Sequence, residues 1–391
     1  MKTLLLAMVL RLLPAGELIA STEDQWVSST LHAMTLNQKL GQMFMVDIWG
    51  EKVTPSILNH LKRNHLGNII LFGNNLKTKD QTRALTRILH QAISSRSSVL
   101  PLIAIDQEGG PVNRLRKISQ YQLLQYPARA FGNEYNLSQQ RGKDLLTLTA
   151  KQTAEELVQI GVNMNLAPVL DTASTKQAYM FRRSYSGESK QVTALTRSFI
   201  EEMHKRKIMA TGKHFPNLGN TIVDSHHHLP VQTKDYQQIL TEELSPFQSQ
   251  IDILGAIMVG HLMVPRLDNF YPATLSKKIL GLLRNQMKFD GIVITDDIKM
   301  KSLSSRFSLE EIIINSVLAG SDIIIVAWGR KKQEESLKIL KKAVIDKIIS
   351  IQHIDASVAR ILRQKYRTMN GFPNSEPVIN LSLQQSLVPN P

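Results

Sequence analysis

The chain has no cysteine among its 391 residues. That excludes structural disulfides, a thiol nucleophile, a cysteine-based zinc knuckle and a lipidated cysteine. Past residue 20 no stretch is apolar enough to span a bilayer, so stable membrane insertion is not expected. No linker divides the sequence, and no repeat is visible beyond an alternation of strand and helix patterns. The pair Gly109-Gly110 is not a phosphate loop, because no Lys-Ser or Lys-Thr follows at the required spacing. Acidic charge is also short: 33 Asp and Glu stand against 47 Lys and Arg, leaving a net charge of +14. The basic residues are nevertheless scattered, with small clusters such as Lys331-Lys332 and Lys341-Lys342 on a helical pattern. They read as a solvated basic face, and no nucleic-acid partner is expected.

What is present is the balance of a folded protein, 42% hydrophobic and 20% charged, in a chain long enough to bury a sizeable core. The first 20 residues stand apart. Lys2 precedes an apolar run over 4–10, then Arg11, Leu12, Leu13 and Pro14, with Leu18-Ile19-Ala20 before a cleavage position. This pattern resembles an export signal, so residues 1–20 are expected to be removed and the mature protein to lie in the periplasm or outside the cell. A stray N-terminal helix on a cytoplasmic protein is the alternative. At the other end, residues 372–391 carry Pro373, Pro377 and Pro389 and are expected to form a loosely ordered tail.

Between them, short Val-, Ile-, Leu- and Met-rich segments recur at 43–48, 68–72, 102–106, 162–167, 208–213, 256–260, 292–296 and 322–327. Near-continuous apolar runs suit strands buried on both faces of a parallel sheet, and amphipathic stretches such as 145–160 separate them. Eight such units predict an α/β fold, a single-domain (β/α)8 TIM barrel over 21–371, with a doubly wound open sheet as the competing architecture. The position of the polar residues favours the barrel. Asp106, Asn165, Lys213, His214, His261, Asp296 and Trp328 fall at or just past strand ends, which converge on one mouth in a barrel.

Three segments carry chemistry. The run 213–230 places Lys213 and His214 at a strand end and Asp224 and His226 two residues apart in a polar loop. A carboxylate that close can accept a hydrogen bond from the imidazole, fix its tautomer and favour its protonated form, making a usable proton donor. Asp296-Asp297 closes the seventh strand, where one acid can point into the mouth while the other turns away to hold the loop. Asp106-Gln107-Glu108-Gly109-Gly110 sets an acid at a strand end before two glycines that permit close turns. Each has a plainer reading: a loop-stabilising Asp-His pair, helix-capping acids, or, for His226-His227-His228, a metal site. The last lacks the ligand spacing and partners of known zinc sites.

Together these segments resemble glycoside hydrolase family 3. The resemblance rests on 106–114, on 161–171, on Arg183-Ser184-Tyr185, on 213–230 and on Thr295 to Met300. They are most similar to the family's single-barrel β-N-acetylglucosaminidases of peptidoglycan turnover. The resemblance implies Asp296 as nucleophile and His226, held by Asp224, as acid/base. It also implies that Asp106, Arg114, Arg183, Lys213 and His214 bind the sugar. Hydrolysis is expected to be exo-acting and retaining, through a covalent glycosyl-aspartate, with no metal or cofactor and with the protein as a monomer. Phosphorolysis, a metal-assisted barrel hydrolase and a catalytically silent sugar-binding barrel are the competing functions. Some positions depart from the family pattern. Asn217-Leu218-Gly219 replaces the usual Gly-His-Gly, Asn220 replaces a frequent Asp, and Arg182 stands where a smaller or acidic residue is common. These changes bear on the reach and flexibility of the loop more than on its chemistry. Members acting on plain glucosides generally carry a second domain that supplies a Glu acid/base, and its absence here favours the N-acetylglucosaminidase branch.

Overall fold

The computed structural model describes residues 15–97 and 99–373. Residues 1–14 of the expected leader and 374–391 of the expected tail lie outside the described residues. A helix, Ala15–Ala33, runs through the end of the leader segment.

Eight parallel strands close into a barrel: β1 (Phe44–Asp47), β2 (Asn68–Leu71), β3 (Leu102–Ile105), β6 (Met164–Asn165), β7 (Met209–Phe215), β8 (Ala256–Val259), β9 (Ile292–Thr295) and β10 (Ile324–Val326). Each falls within or overlaps one of the eight apolar segments. Between β3 and β6 a two-stranded antiparallel hairpin intervenes, β4 (Gln107–Gly109) and β5 (Val112–Asn113), which the apolar pattern does not announce. Sequential neighbours pair in parallel, and β1 returns to β10 with Phe44 beside Ile324 and Val46 beside Val326. The last seam, between β9 and β10, is closed by Thr295 N–H donating to Ile323 C=O at 3.0 Å. Every residue of β2, β3, β8 and β9 is buried, because the barrel interior takes one face and the surrounding helices take the other. That double burial explains the absence of a polar alternation in the strand sequences. The helices begin where the sequence supplies capping side chains: Thr54, Ser138, Ser308 and Ser350 each accept a hydrogen bond from an amide of the first turn.

Two extended segments differ from expectation in length. The fourth barrel strand shortens to Met164–Asn165, and asparagine side chains take up neighbouring amides on either side of it: Asn163 Oδ1 accepts from Ile103 N–H of β3 at 2.7 Å, and Asn165 Oδ1 from Gln107 N–H of β4 at 3.1 Å. The fifth, β7, runs past Lys213 to Phe215, so Lys213 and His214 are part of the barrel wall.

One buried carboxylate joins the seam to the outer layer. Asp322 is fully buried, and its Oδ2 accepts from Val293 N–H at 2.8 Å and from the Arg284 guanidinium. Its Oδ1 accepts from Arg360 Nε and Nη2, at 2.9 and 2.8 Å. Removing the carboxylate strands two guanidinium groups in a water-poor setting. We therefore expect Asp322→Ala to lower the unfolding free energy by about 3–5 kcal/mol in urea titrations. A loss below about 1 kcal/mol would show that water satisfies both arginines.

Candidate active site

The barrel mouth holds a pocket with about 820 Å³ of empty space, its open entrance included, lined by residues from seven of the eight strand ends and the loops that follow them. Its most enclosed wall is ionic. The hairpin after β3 folds back through Gly109 (φ 94°) and Gly110 (φ 53°), where an added Cβ would meet Tyr126 O at 2.9 Å and Pro127 Cα at 2.5 Å. That tight return delivers Glu108 into the pocket. Its Oε1 is 2.8 Å from Lys213 Nζ, while Arg183 grips it bidentately, Nε at 2.9 Å and Nη2 at 2.7 Å. Lys213 Nζ also donates to Asp106 Oδ1 at 2.7 Å, and Arg114 stands 4.0 Å from the other Asp106 oxygen. Burial opposes the charge on Glu108, yet Arg183 and Lys213 outweigh it and hold the carboxyl far below the usual range. Burial also opposes the Lys213 ammonium, and Asp106 and Glu108 overcome it, raising the lysine pKa.

His214 is fixed beside this wall. Its Nδ1 lies 2.6 Å from Asp171 Oδ2, and Asp171 also accepts from the backbone N–H of His214 at 3.2 Å and of Leu218 at 2.7 Å. With Nδ1–H given to Asp171, Nε2 is left as an acceptor facing Arg183 Nη2 at 3.4 Å. The Lys213–His214 peptide is cis, as are Ala167–Pro168 and Phe215–Pro216.

Asp296 follows β9 and lines the pocket. Burial disfavours its charge, but His261, His214, the N–H of Asp297 at 2.8 Å and Lys213 together depress its pKa, so it is ionised at neutral pH. Asp297 does the structural work expected of the second acid. Its Oδ1 accepts from Lys299 N–H and Ala327 N–H, both at 3.2 Å, tying the loop after β9 to the end of β10. His261, fully buried after β8, places Nε2 3.2 Å from Asp297 C=O and Nδ1 2.7 Å from Thr274 Oγ1.

Asp224 and His226 lie in the loop after β7. Asp224 Oδ1 is 2.9 Å from His226 N and 2.8 Å from His226 Nδ1, which leaves Nε2 for the pocket. Burial alone would raise the Asp224 pKa, and hydrogen bonds from His226 lower it instead. His226 lines the pocket whereas His227 and His228 do not. Thus Asp106, Arg114, Arg183, Lys213, His214, His226 and Asp296 all face one cavity, and Asp224 supports it from behind.

Sequence reasoning gave no role to Glu108, Asp171 or Tyr179. Glu108 and Asp171 lie inside quoted motifs, but their importance depends on which way a hairpin and a post-strand turn point. Tyr179 sits in a segment with no periodic signal. The substituted loop base also has an account. Asn217 has φ 133°, a conformation that favours glycine, and its side chain compensates by accepting from Thr172 N at 3.2 Å and Gly219 N at 2.8 Å and donating to Thr172 Oγ1 at 3.1 Å. Asn220 Oδ1 accepts from Ser174 N at 2.8 Å and Thr175 N at 3.0 Å. Both asparagines fasten the loop base to the segment 172–175.

Burial pushes the Asp297 carboxyl up from 3.8 to about 6. The folded state therefore binds the extra proton between those values. The stability it confers is complete below pH 3.8 and is lost as pH rises through about 6. Comparing unfolding free energies of the wild type and Asp297→Asn from pH 4 to 7 should reveal a divergence of at most about 3 kcal/mol, the wild type weakening as pH rises. Parallel curves would refute this assignment.

Residues 35–364 match the model of the glycosyl hydrolase family 3 N-terminal domain. A β-hexosaminidase of Bordetella avium (strain 197N) is 32% identical over 285 residues, 72% of this chain and 79% of that protein. One from Pseudomonas aeruginosa (strain LESB58) is 30% identical over 302 residues, 76% of this chain and 86% of that protein. Among solved structures, a glycoside hydrolase family 3 β-N-acetylglucosaminidase from Paenibacillus sp. str. FPU-7 superposes with a TM-score of 0.80 at 32% identity, covering 92% of this chain and 66% of that one. A closed parallel barrel with an acid-lined mouth is thus accompanied by family-wide similarity along most of its length, and the chain belongs to glycosyl hydrolase family 3.

Proposed function

We propose that the protein is a retaining exo-β-N-acetylglucosaminidase acting on β-linked glycans with a terminal N-acetylglucosamine, peptidoglycan fragments among them. The observation that carries this reading is the placement of the ionised Asp296 and the Asp224-supported His226 on one pocket, above a buried wall of Lys213, Asp106, Glu108 and Arg183. In the first step an Asp296 oxygen attacks the anomeric carbon as the bond to the leaving oxygen breaks. The proton on His226 Nε2 passes to that oxygen, releasing an alcohol and leaving a glycosyl ester on Asp296. In the second step water attacks the same carbon, His226 recovers a proton from it, and Asp296 departs as a carboxylate. Two inversions give net retention. Lys213, Arg183, Asp106 and Arg114 hold the non-reducing sugar, and the enclosed wall behind them suits a chain end over a chain interior.

A chromogenic β-N-acetylglucosaminide should be hydrolysed in preference to the matching β-glucoside. Asp296→Asn should abolish that turnover while leaving the fold intact, and a 2-fluoro sugar should label Asp296 in mass spectra. Release from the glucoside alone, or an adduct on another residue, would overturn the assignment.

Leaving groups separate the two catalytic roles. An activated aryl group needs little protonation, whereas a sugar alcohol needs it fully. His226→Ala and Asp224→Ala should each lose about 10²- to 10⁴-fold on a disaccharide. Formation of the glycosyl-enzyme from the aryl glycoside should change by less than about tenfold. His227→Ala and His228→Ala should do little to either. Equal losses on both substrates for His226→Ala would place the proton donor elsewhere.

A further inference from the structure

His226 is carried on a loop that the rest of the pocket holds at few points. Its side chain is 57% exposed, so packing does little to orient it. Among the described residues, the hydrogen-bond partners of the imidazole are Asp224 and Tyr179. Asp224 rides on the same loop and therefore fixes the ring relative to the loop, not relative to the barrel.

Tyr179 belongs to the other side of the mouth. It lies four residues before Arg183, whose guanidinium sits 5.7 Å from the Tyr179 ring centroid and is itself locked on Glu108. The Tyr179 hydroxyl oxygen is 3.4 Å from His226 Nδ1, and the two rings meet edge to face at 6.4 Å and 65°. The Tyr179 backbone N–H donates to Thr221 C=O at 3.0 Å, so main chain and side chain grip the same loop. From the opposite flank, Lys301 N–H donates to His226 C=O at 3.1 Å, just beyond the nucleophile's strand. The main chain of His226 is thus held from the β9 side, and its ring from the Arg183 side.

We propose that Tyr179 is a positioning residue for proton transfer: its hydroxyl shares the Nδ1–H of His226 with Asp224 and holds the ring against the mouth, so that Nε2 faces the leaving oxygen. This rests on His226 being the proton donor. The long 3.4 Å contact is the weaker branch of a shared hydrogen bond, and the 2.8 Å bond to Asp224 is the stronger. Tyr179 therefore sets where the ring stands, and Asp224 sets which nitrogen carries the proton. Burial raises the Tyr179 pKa, which keeps the hydroxyl neutral in this role.

The test is a leaving-group series. Wild type, Tyr179→Phe, Tyr179→Ala and His226→Ala would be assayed on an N-acetylglucosamine disaccharide and on aryl N-acetylglucosaminides of graded leaving-group acidity, with unfolding midpoints recorded in parallel. Tyr179→Phe keeps the ring and the backbone bond and removes only the hydroxyl. It should lose about tenfold on the disaccharide and less than about twofold on the most activated aryl glycoside, so that log kcat/KM depends more steeply on leaving-group acidity. Tyr179→Ala should steepen that dependence further, towards His226→Ala. A loss in Tyr179→Phe that is equal across the series would mean that the hydroxyl binds sugar or supports the fold, and would overturn the proposal. So would an unchanged series in Tyr179→Phe alongside a steepened one in His226→Ala. Should His226→Ala itself show no steeper dependence, the proton-donor reading fails, and the role of Tyr179 falls with it.

Discussion

Glu108 bridges Lys213 and Arg183, and the geometry of the mouth depends on that bridge. The three residues come from different parts of the chain: a hairpin after the third barrel strand, the fifth strand, and the loop after the fourth. Each is nearly inaccessible to water, with side-chain exposures of 5%, 2% and 11%. A buried ion pair gains little over a hydrophobic substitute, but leaving one partner alone is costly. The cluster is therefore all or nothing. Asp106 completes it by giving Lys213 a second carboxylate, so that two cations face two anions. If the wall binds the sugar as proposed, side chains held this way would need no rearrangement on binding, which is the condition under which fixed charges aid catalysis most.

The same charges act at a distance on Asp296. Lys213 and His214 belong to β7, Asp296 follows β9, and the depressed pKa of Asp296 arises partly across the cavity between them. Its neighbour Asp297 is shifted the other way by its own burial. Two adjacent carboxyls thus differ in their readiness to ionise because His261, His214 and Lys213 outweigh burial at Asp296, whereas burial outweighs Lys299 and the backbone amides at Asp297.

How much of this was legible in the sequence follows from the physics of each element. The eight strands could be read because burial on both faces demands uninterrupted apolar residues, and the polar residues ending those runs pointed to a common mouth. Asp224, His226 and Asp296 could be read because their spacing and position carry a family motif. The hairpin carrying Glu108 could not, since its strands are two and three residues long and its turn is set by two glycines packing against Tyr126 and Pro127. Tyr179 was equally hidden: its partners lie 42 to 47 residues away in a loop whose course depends on the whole barrel. Asn217 and Asn220 were visible as departures from the pattern, but only the contacts to 172–175 show that they anchor the loop base.

That anchoring divides the site into two parts under separate control. The ionic wall is welded into the barrel by buried charge. His226 hangs on a loop clamped at its root by two asparagines and touched farther out by Tyr179 and Lys301. Under the proposed function, changes in the outer loop would fall on the bond being cleaved while the sugar being recognised stays the same. If His226 and the ionic wall act as proposed, a barrel built this way would be free, in evolution or in the laboratory, to change its leaving-group preference while its specificity for the terminal residue is conserved.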